Sequence, residues 1–274
     1  GTVLILTETG RMGFPAFTAC CPEGVLEMKF TAARCDMDPF GRMPPYMLAK
    51  VMETAMKQQM EMCGWGREMV EKTGVTWVVG WTSLQIRRLP HGGENLLVRI
   101  WPGRKKFSMH VRKYAFFTEA GEPLVSAAVL FLPMDRRSRK LTLTADIPEL
   151  PEVMLPGEAN IPSLRQPFPH ELSRQCVRTV CAHEIDENGH MNNTCYLKWA
   201  SELCDQEFHA QHKPRSIWVQ YISELTEGQR VTLEYAETGQ RFFIRGTANQ
   251  ADSFLAVIQY ESCDPSAAEN VYTK

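Results

Sequence analysis

The chain has 274 residues, 44% of them hydrophobic and 23% charged, with a formal net charge of −2. That length holds one large or two ordinary domains, and the composition excludes disorder, collagen and a pure coiled coil. The slight negative balance argues against a general nucleic-acid binder, whose footprint is strongly basic. No apolar run approaches the roughly 18 residues that cross a bilayer. Val3-Leu4-Ile5-Leu6 is too short for a signal-peptide core and follows no basic stretch. Nine cysteines, an odd number without paired metal spacing, read as reduced and buried small hydrophobes. The expected setting is the cytoplasm, with no insertion into membrane.

In chain order, a strand comes first: Leu26, Met28 and Phe30 alternate with Glu27, Lys29 and Thr31. Asp38-Pro39-Phe40-Gly41-Arg42-Met43 follows, then Pro44-Pro45, which suits a first helical turn where missing N–H groups cost nothing. Leu48, Val51, Met52 and Ala55, at i, i+3, i+4 and i+7, predict that helix's buried stripe. Strand-like segments occupy 77–88, 95–101, 107–117 and 124–132. Beyond the charge run Arg136-Arg137-Ser138-Arg139-Lys140, six prolines (Pro148, Pro151, Pro156, Pro162, Pro167 and Pro169) fall within 22 residues. No helix or central strand tolerates that density. Residues 136–169 therefore read as a linker between domains over 22–135 and 170–264.

The second domain repeats the first. Asp186-Glu187-Asn188-Gly189-His190-Met191 stands 148 positions after Asp38 to Met43, and Tyr196, Trp199, Ala200 and Leu203 keep the phase of Leu48 to Ala55. Asn192-Asn193-Thr194 offers oxygens to cap the helix start. Strand-like segments follow over 216–223, 230–235, 241–247 and 254–260. Gly93 and Phe107 match Gly228 and Phe242 at a shift of 135, so the first half carries about 13 extra residues between helix and sheet. Each half reads strand, long helix of about five turns, then antiparallel meander. This is an α+β layer arrangement, and two such units can pack as a pseudo-dimer.

The copies differ where chemistry resides. Phe40 and Arg42 stand where the second copy has Asn188 and His190. Asp186, Asn188 and His190 lie at i, i+2 and i+4 and share one side of an extended segment. They precede a helix N-terminus, where free N–H groups favour developing negative charge. That set suits acyl transfer, although aspartate and asparagine before a helix also serve merely as caps or turn formers. A metal site from His183, Asp186 and His190, and a papain-like pair of His190 with Cys195 or Cys204, are further readings; packing in the helix also accounts for both cysteines.

The run His183-Glu184-Ile185-Asp186-Glu187-Asn188-Gly189-His190-Met191-Asn192-Asn193, with Tyr196 and Trp199 after it, resembles the signature of acyl-acyl-carrier-protein thioesterases, which are built as tandem hotdog domains. The likeness extends over about residues 25–261. It implies a pseudo-dimeric double hotdog that hydrolyses fatty acyl thioesters of acyl carrier protein, with no cofactor and no metal. It carries the catalytic set onto Asp186, Asn188, His190 and Glu224. Plant members usually have cysteine after that glutamate, where this chain has Leu225, which points to carboxylate chemistry.

On this reading Glu224, supported by His190, activates water as general base. Asn188 orients water or thioester, Asp186 holds the loop and tunes the imidazole, and backbone N–H groups of Asn193 and Thr194 receive the oxyanion. Direct attack by Asp186 through an anhydride is the alternative. The resemblance puts the acyl pocket in the first half. Met52 and Met56, in a helix that also has Met47, Met60 and Met62, would line it with Trp77, Trp81 and Leu84. Arg136, Arg137, Arg139 and Lys140, with Arg87-Arg88 and Arg104-Lys105-Lys106, are candidates to dock the acidic carrier. The rivals are a coenzyme A thioesterase using the same site, a non-hydrolytic acyl-thioester binder and a hotdog dehydratase, whose usual helix histidine is not seen. Pairing of two chains stays open.

Overall fold

The computed structural model describes residues 17–18, 24–106, 109–142, 152–153 and 167–263. Their elements run β1 (Phe17–Thr18), β2 (Leu26–Thr31), α1 (Pro45–Met62), α2 (Arg67–Thr73), β3 (Val75–Ile86), β4 (Asn95–Lys106), β5 (Met109–Thr118) and β6 (Pro123–Asp135). Then come β7 (Arg174–Thr179), α3 (Asn193–Ser201), α4 (Gln206–Gln211), β8 (His212–Tyr221), β9 (Arg230–Thr238), β10 (Arg241–Ala248) and β11 (Ala251–Ser262). The chain divides into two compact units, and β3 is shared out between them. The first unit holds the chain through Gly80 and resumes at Arg87; the second takes Trp81–Ile86 and everything from β7 onward.

In the first unit the strands lie in the order β1-β2-β4-β5-β6, with β3 beside β6. The alternation read from Leu26 to Thr31 is the β2 ladder: Leu26 faces Ile100, Met28 faces Val98 and Phe30 faces Leu96. Leu26, Met28, Val98 and Ile100 are buried, and α1 packs on β2 and β4. Pro45 opens α1 as expected, and Leu48, Met52 and Ala55 are buried on it, while Val51 is half-buried. The first unit's extra residues lie between Met62 and β3 or in α1 itself, which has 18 residues against the nine of α3; a short second helix, α2 or α4, follows in each unit.

One face of β5 is polar although it lies inside. His110, Arg112 and Tyr114, alternate residues and so on one side of the strand, are all buried. The Arg112 guanidinium sits 4.5 Å from the Trp65 ring centroid. Trp65 stacks on Trp77 at 4.6 Å, and the His110 imidazole meets both indoles edge-on.

The second unit orders the end of β3, then β8-β11-β10-β9-β7. Ser83 on β3 faces Trp218 on β8, which faces Val257 on β11. Tyr196, Leu197, Trp199 and Ala200 form the buried face of α3, and Tyr196 packs edge-on against Tyr221 and Phe254. The long helix expected here is shorter: α3 ends at Ser201, so Leu203 and Cys204 lie in the turn that follows. A second helix start follows within a few residues. The Ser201 hydroxyl donates to the Lys198 carbonyl, and Asp205 caps a new helix by accepting the Phe208 N–H at 2.8 Å.

Residues 136–140 form a turn. The Arg139 N–H donates to the Asp135 carbonyl, the Asp135 N–H donates to the Lys140 carbonyl, and a bridge joins Met134 to Leu141. Pro148, Pro151, Pro156 and Pro162 lie outside the described residues, as do Cys20, Cys21 and Phe107 and the side chains of Arg104, Lys105 and Lys106.

Candidate active site

The Asp186 to His190 motif is a closed loop held by its own backbone. The Asp186 N–H donates to the His190 carbonyl at 2.9 Å, and the Gly189 N–H donates to the Asp186 carbonyl at 3.0 Å. Gly189 takes φ +80, which glycine adopts without strain. A bridge between Ile185 and Met191 closes the stem. The Asp186 carboxylate faces inward across the loop, accepting N–H bonds from Asn188 at 2.8 Å and His190 at 3.5 Å and the Asn188 side-chain amide at 3.4 Å.

The irregular segment after β8 docks on this loop through a backbone bond, Met191 N–H to the Leu225 carbonyl, 2.7 Å. The flanking side chains then meet: His190 Nε2 lies 3.3 Å from a Glu224 carboxylate oxygen. Their side chains are 26% and 44% exposed, so the pair is open to a substrate. All four residues expected to act together are thus brought together. Asp186, expected both to hold the loop and to tune the imidazole, makes no contact with the ring and is occupied by loop amides, while Glu224 is the imidazole's carboxylate partner.

The oxyanion expectation holds less well. Asn192 caps α3, and its side-chain oxygen takes both the Thr194 N–H at 2.9 Å and the Thr194 hydroxyl at 2.6 Å. The Thr194 amide is therefore committed to the cap. The Asn193 amide, at the first helical position, has no hydrogen-bond acceptor among the described residues.

The first copy builds the same loop with other side chains. Asp38 N–H donates to the Arg42 carbonyl, Gly41 N–H to the Asp38 carbonyl and Met43 N–H to the Pro90 carbonyl. The Asp38 carboxylate takes the Phe40 and Arg42 amides, each at 2.9 Å. Arg42 then folds back, its Nε 2.9 Å from Asp38 and its guanidinium over the Phe40 ring. The position of Glu224 is held by Leu89, which is 6% exposed. The aspartate is common scaffold, and the amide, imidazole and glutamate belong to the second copy alone.

Other expectations distribute as follows. Met52 is buried and Met56 and Trp77 half-buried in the first unit, whereas Trp81 and Leu84 are buried in the second, on β3 opposite Gln220 and Ile217. Arg136, Arg137, Arg139 and Lys140 are all exposed. Arg87 is exposed, while Arg88 is engaged by Glu94 and Glu122. Among the described residues no three His, Cys, Asp or Glu side chains gather as a metal ion would need, those of His183, Asp186 and His190 included. The Cys195 thiol reaches the Glu184 carbonyl rather than His190, and burial pushes the Cys204 thiol up to about 11. Sequence reasoning gave no role to Glu184, although its place three residues after Cys181 matches a capping-box spacing. Nor did it single out Tyr221, whose hydroxyl reaches the Asn193 carbonyl and the Thr82 hydroxyl, each at 3.3 Å.

Two domain families match the sequence, the acyl-ACP thioesterase N-terminal domain over residues 24–149 and the acyl-ACP thioesterase C-terminal domain over 171–267. The chain belongs to the acyl-ACP thioesterase family. It is a thioester hydrolase that releases fatty acids from acyl carrier protein. Its fold is similar to that of the 12:0-ACP thioesterase from Umbellularia californica (19% identity, 89% of this chain and 100% of that one, TM-score 0.79). It is also similar to an acyl-ACP thioesterase from Bacteroides thetaiotaomicron (18% identity, 87% and 98%, TM-score 0.78). The architecture is thus α+β, two hotdog units in tandem. Comparison with curated protein sequences gives no match. No helix among the described residues is long and apolar enough to cross a membrane.

Proposed function

We propose that the second unit carries out the hydrolysis, with Glu224 as general base and His190 as its partner. The observation that carries this reading is the 3.3 Å contact between His190 Nε2 and Glu224, both partly open to solvent. Glu224 takes a proton from water as the water oxygen bonds to the thioester carbon. The carbonyl oxygen gains the negative charge, facing the Asn193 amide at the positive end of α3. Collapse of this intermediate breaks the C–S bond. The thiol leaving group, with an unperturbed pKa of about 8.5, needs little assistance and recovers the proton held by the Glu224–His190 pair. The exposed Asn188 amide orients the water or the thioester.

Asp186 is assigned the loop, not the attack. Its oxygens are occupied by three N–H donors, and Asp38 does the same work in a copy without the imidazole. A single turnover in heavy-oxygen water tests this: label appears in the fatty acid and not in Asp186. Label entering Asp186 first would establish the anhydride route. His190→Ala and Glu224→Ala should each lower thiol release by about 10²–10⁴-fold; a binder without hydrolysis would release no thiol from the unaltered protein either.

The first unit is proposed to house the acyl chain along the methionine-rich α1, with Met52, Met56 and Trp77 as walls; Trp81 and Leu84 are assigned to the sheet of the second unit. The exposed Arg136, Arg137, Arg139 and Lys140 are proposed to steer the acidic carrier. Turnover on carrier-protein and coenzyme A esters of one chain length separates this enzyme from a coenzyme A thioesterase. The seven cysteines among the described residues form no disulfide there, which supports a reducing, cytoplasmic setting, and none of them is fully buried.

A further inference from the structure

We infer that Glu184 and Trp199 are positioning residues for His190 and Asn188, an inference that rests on the site proposed above. Glu184 is 6% exposed. One of its carboxylate oxygens accepts the Trp199 indole N–H at 2.6 Å, and the other accepts the Cys181 backbone N–H at 2.9 Å. Its carbonyl accepts the Asn192 N–H at 2.8 Å and is approached by the Cys195 thiol. One residue therefore ties together the chain entering the loop at Cys181, the chain leaving it at Asn192, and the helix behind it at Cys195 and Trp199. Between those anchors hang Asp186, Asn188 and His190.

The inert copy shows what is absent when no chemistry is needed. Asp36 occupies the place of Glu184 and is half-buried, and among the described residues its side chain accepts only from the Cys35 thiol, at 3.9 Å. Val51 occupies the place of Trp199. The loop backbone forms all the same, because its internal bonds are identical in the two copies. The carboxylate–indole strut is thus dispensable for making the loop, and its place is to fix the loop against α3. An imidazole that must stay within reach of Glu224 depends on that fix, since a displacement of about 1 Å can lower a rate about a hundredfold.

The test uses near-isosteric variants of the full chain. Glu184→Gln keeps one acceptor oxygen for two donors, and Trp199→Phe removes the indole donor. The readout is the single-turnover rate constant for thiol release with enzyme in excess, which does not depend on the active fraction. Each variant should lower it about 10- to 100-fold with KM within about twofold, and the double variant should be no slower than the slower single one. Asp36→Asn should leave the rate unchanged. Rate constants equal to wild type, or a loss confined to the reaction amplitude, would overturn the inference, as would failure of both variants to fold. His190→Ala run alongside separates the two readings: if it too keeps the wild-type rate, the proposed site itself is wrong. If it alone loses activity, only the strut is wrong.

Discussion

Replacing Arg112 with methionine should make the protein more stable. The guanidinium is 2% exposed, forms no ion pair among the described residues, and leaves Nε and one terminal nitrogen without an acceptor. Burial pulls its pKa down to about 10, against slight support from the neighbouring Tyr114 and Cys63. The ordinary value is roughly 12.5, and each tenfold change in proton affinity is about 1.4 kcal/mol, so holding the charge inside costs about 3 kcal/mol. The Trp65 face below it returns about 2 kcal/mol when desolvated. Methionine keeps most of the apolar stem and removes the charge, which leaves a net gain of about 1 kcal/mol, or roughly 2–4 °C in Tm. Urea unfolding followed by tryptophan fluorescence measures this. The unfolded chain holds the proton more tightly than the folded one. The penalty is therefore complete below about pH 10 and fades as pH rises toward the unfolded value. The variant's advantage should be constant near neutrality and shrink in alkali. A lower midpoint for Arg112→Met at neutral pH would refute the reasoning, because it would mean that the guanidinium is satisfied where it lies.

Three further outcomes are expected. Gly189→Ala and Gly41→Ala both place a Cβ at positive φ with open space around it, so each should lower stability by about 1–2 kcal/mol in thermal melts. Only Gly189→Ala should also slow thiol release, and equal kinetic losses would contradict the assignment of the chemistry to the second loop. Asn192→Ala strips the cap from α3 and should cost about 1 kcal/mol, read from the denaturation midpoint. Reversing Arg136 and Arg137 to glutamate should weaken turnover of carrier-protein substrate more than of the coenzyme A ester; equal losses would argue against docking there.

Periodicity and duplication made much of the fold legible. The alternation of Leu26, Met28 and Phe30 and the stripe of Leu48, Met52 and Ala55 each report one buried face, and a face is what sequence encodes locally. The length of α3 was not legible, because apolar phase continues through Leu203 while Asp205 caps a new helix by a hydrogen bond that no period records. Asp186, Asn188, His190 and Glu224 were found through spacing and resemblance. The pairing of Glu224 with His190 came from the resemblance; the backbone bond that sets it, Met191 to Leu225 across more than thirty residues, was hidden, as was the turning of Asp186 to the loop amides instead of the imidazole. Glu184 escaped because a glutamate near a helix start looks like a surface cap until its indole partner, fifteen residues on, comes into view.

That Met191–Leu225 bond uses only main-chain atoms, and the two residues it joins are the sequence neighbours of His190 and Glu224. The spacing of the working pair is therefore written into the peptide framework, and the side chain at 225 is left out of it. The side chain at 225 can thus change without altering the reach of His190 to Glu224, provided the buried place that Leu225 fills stays filled.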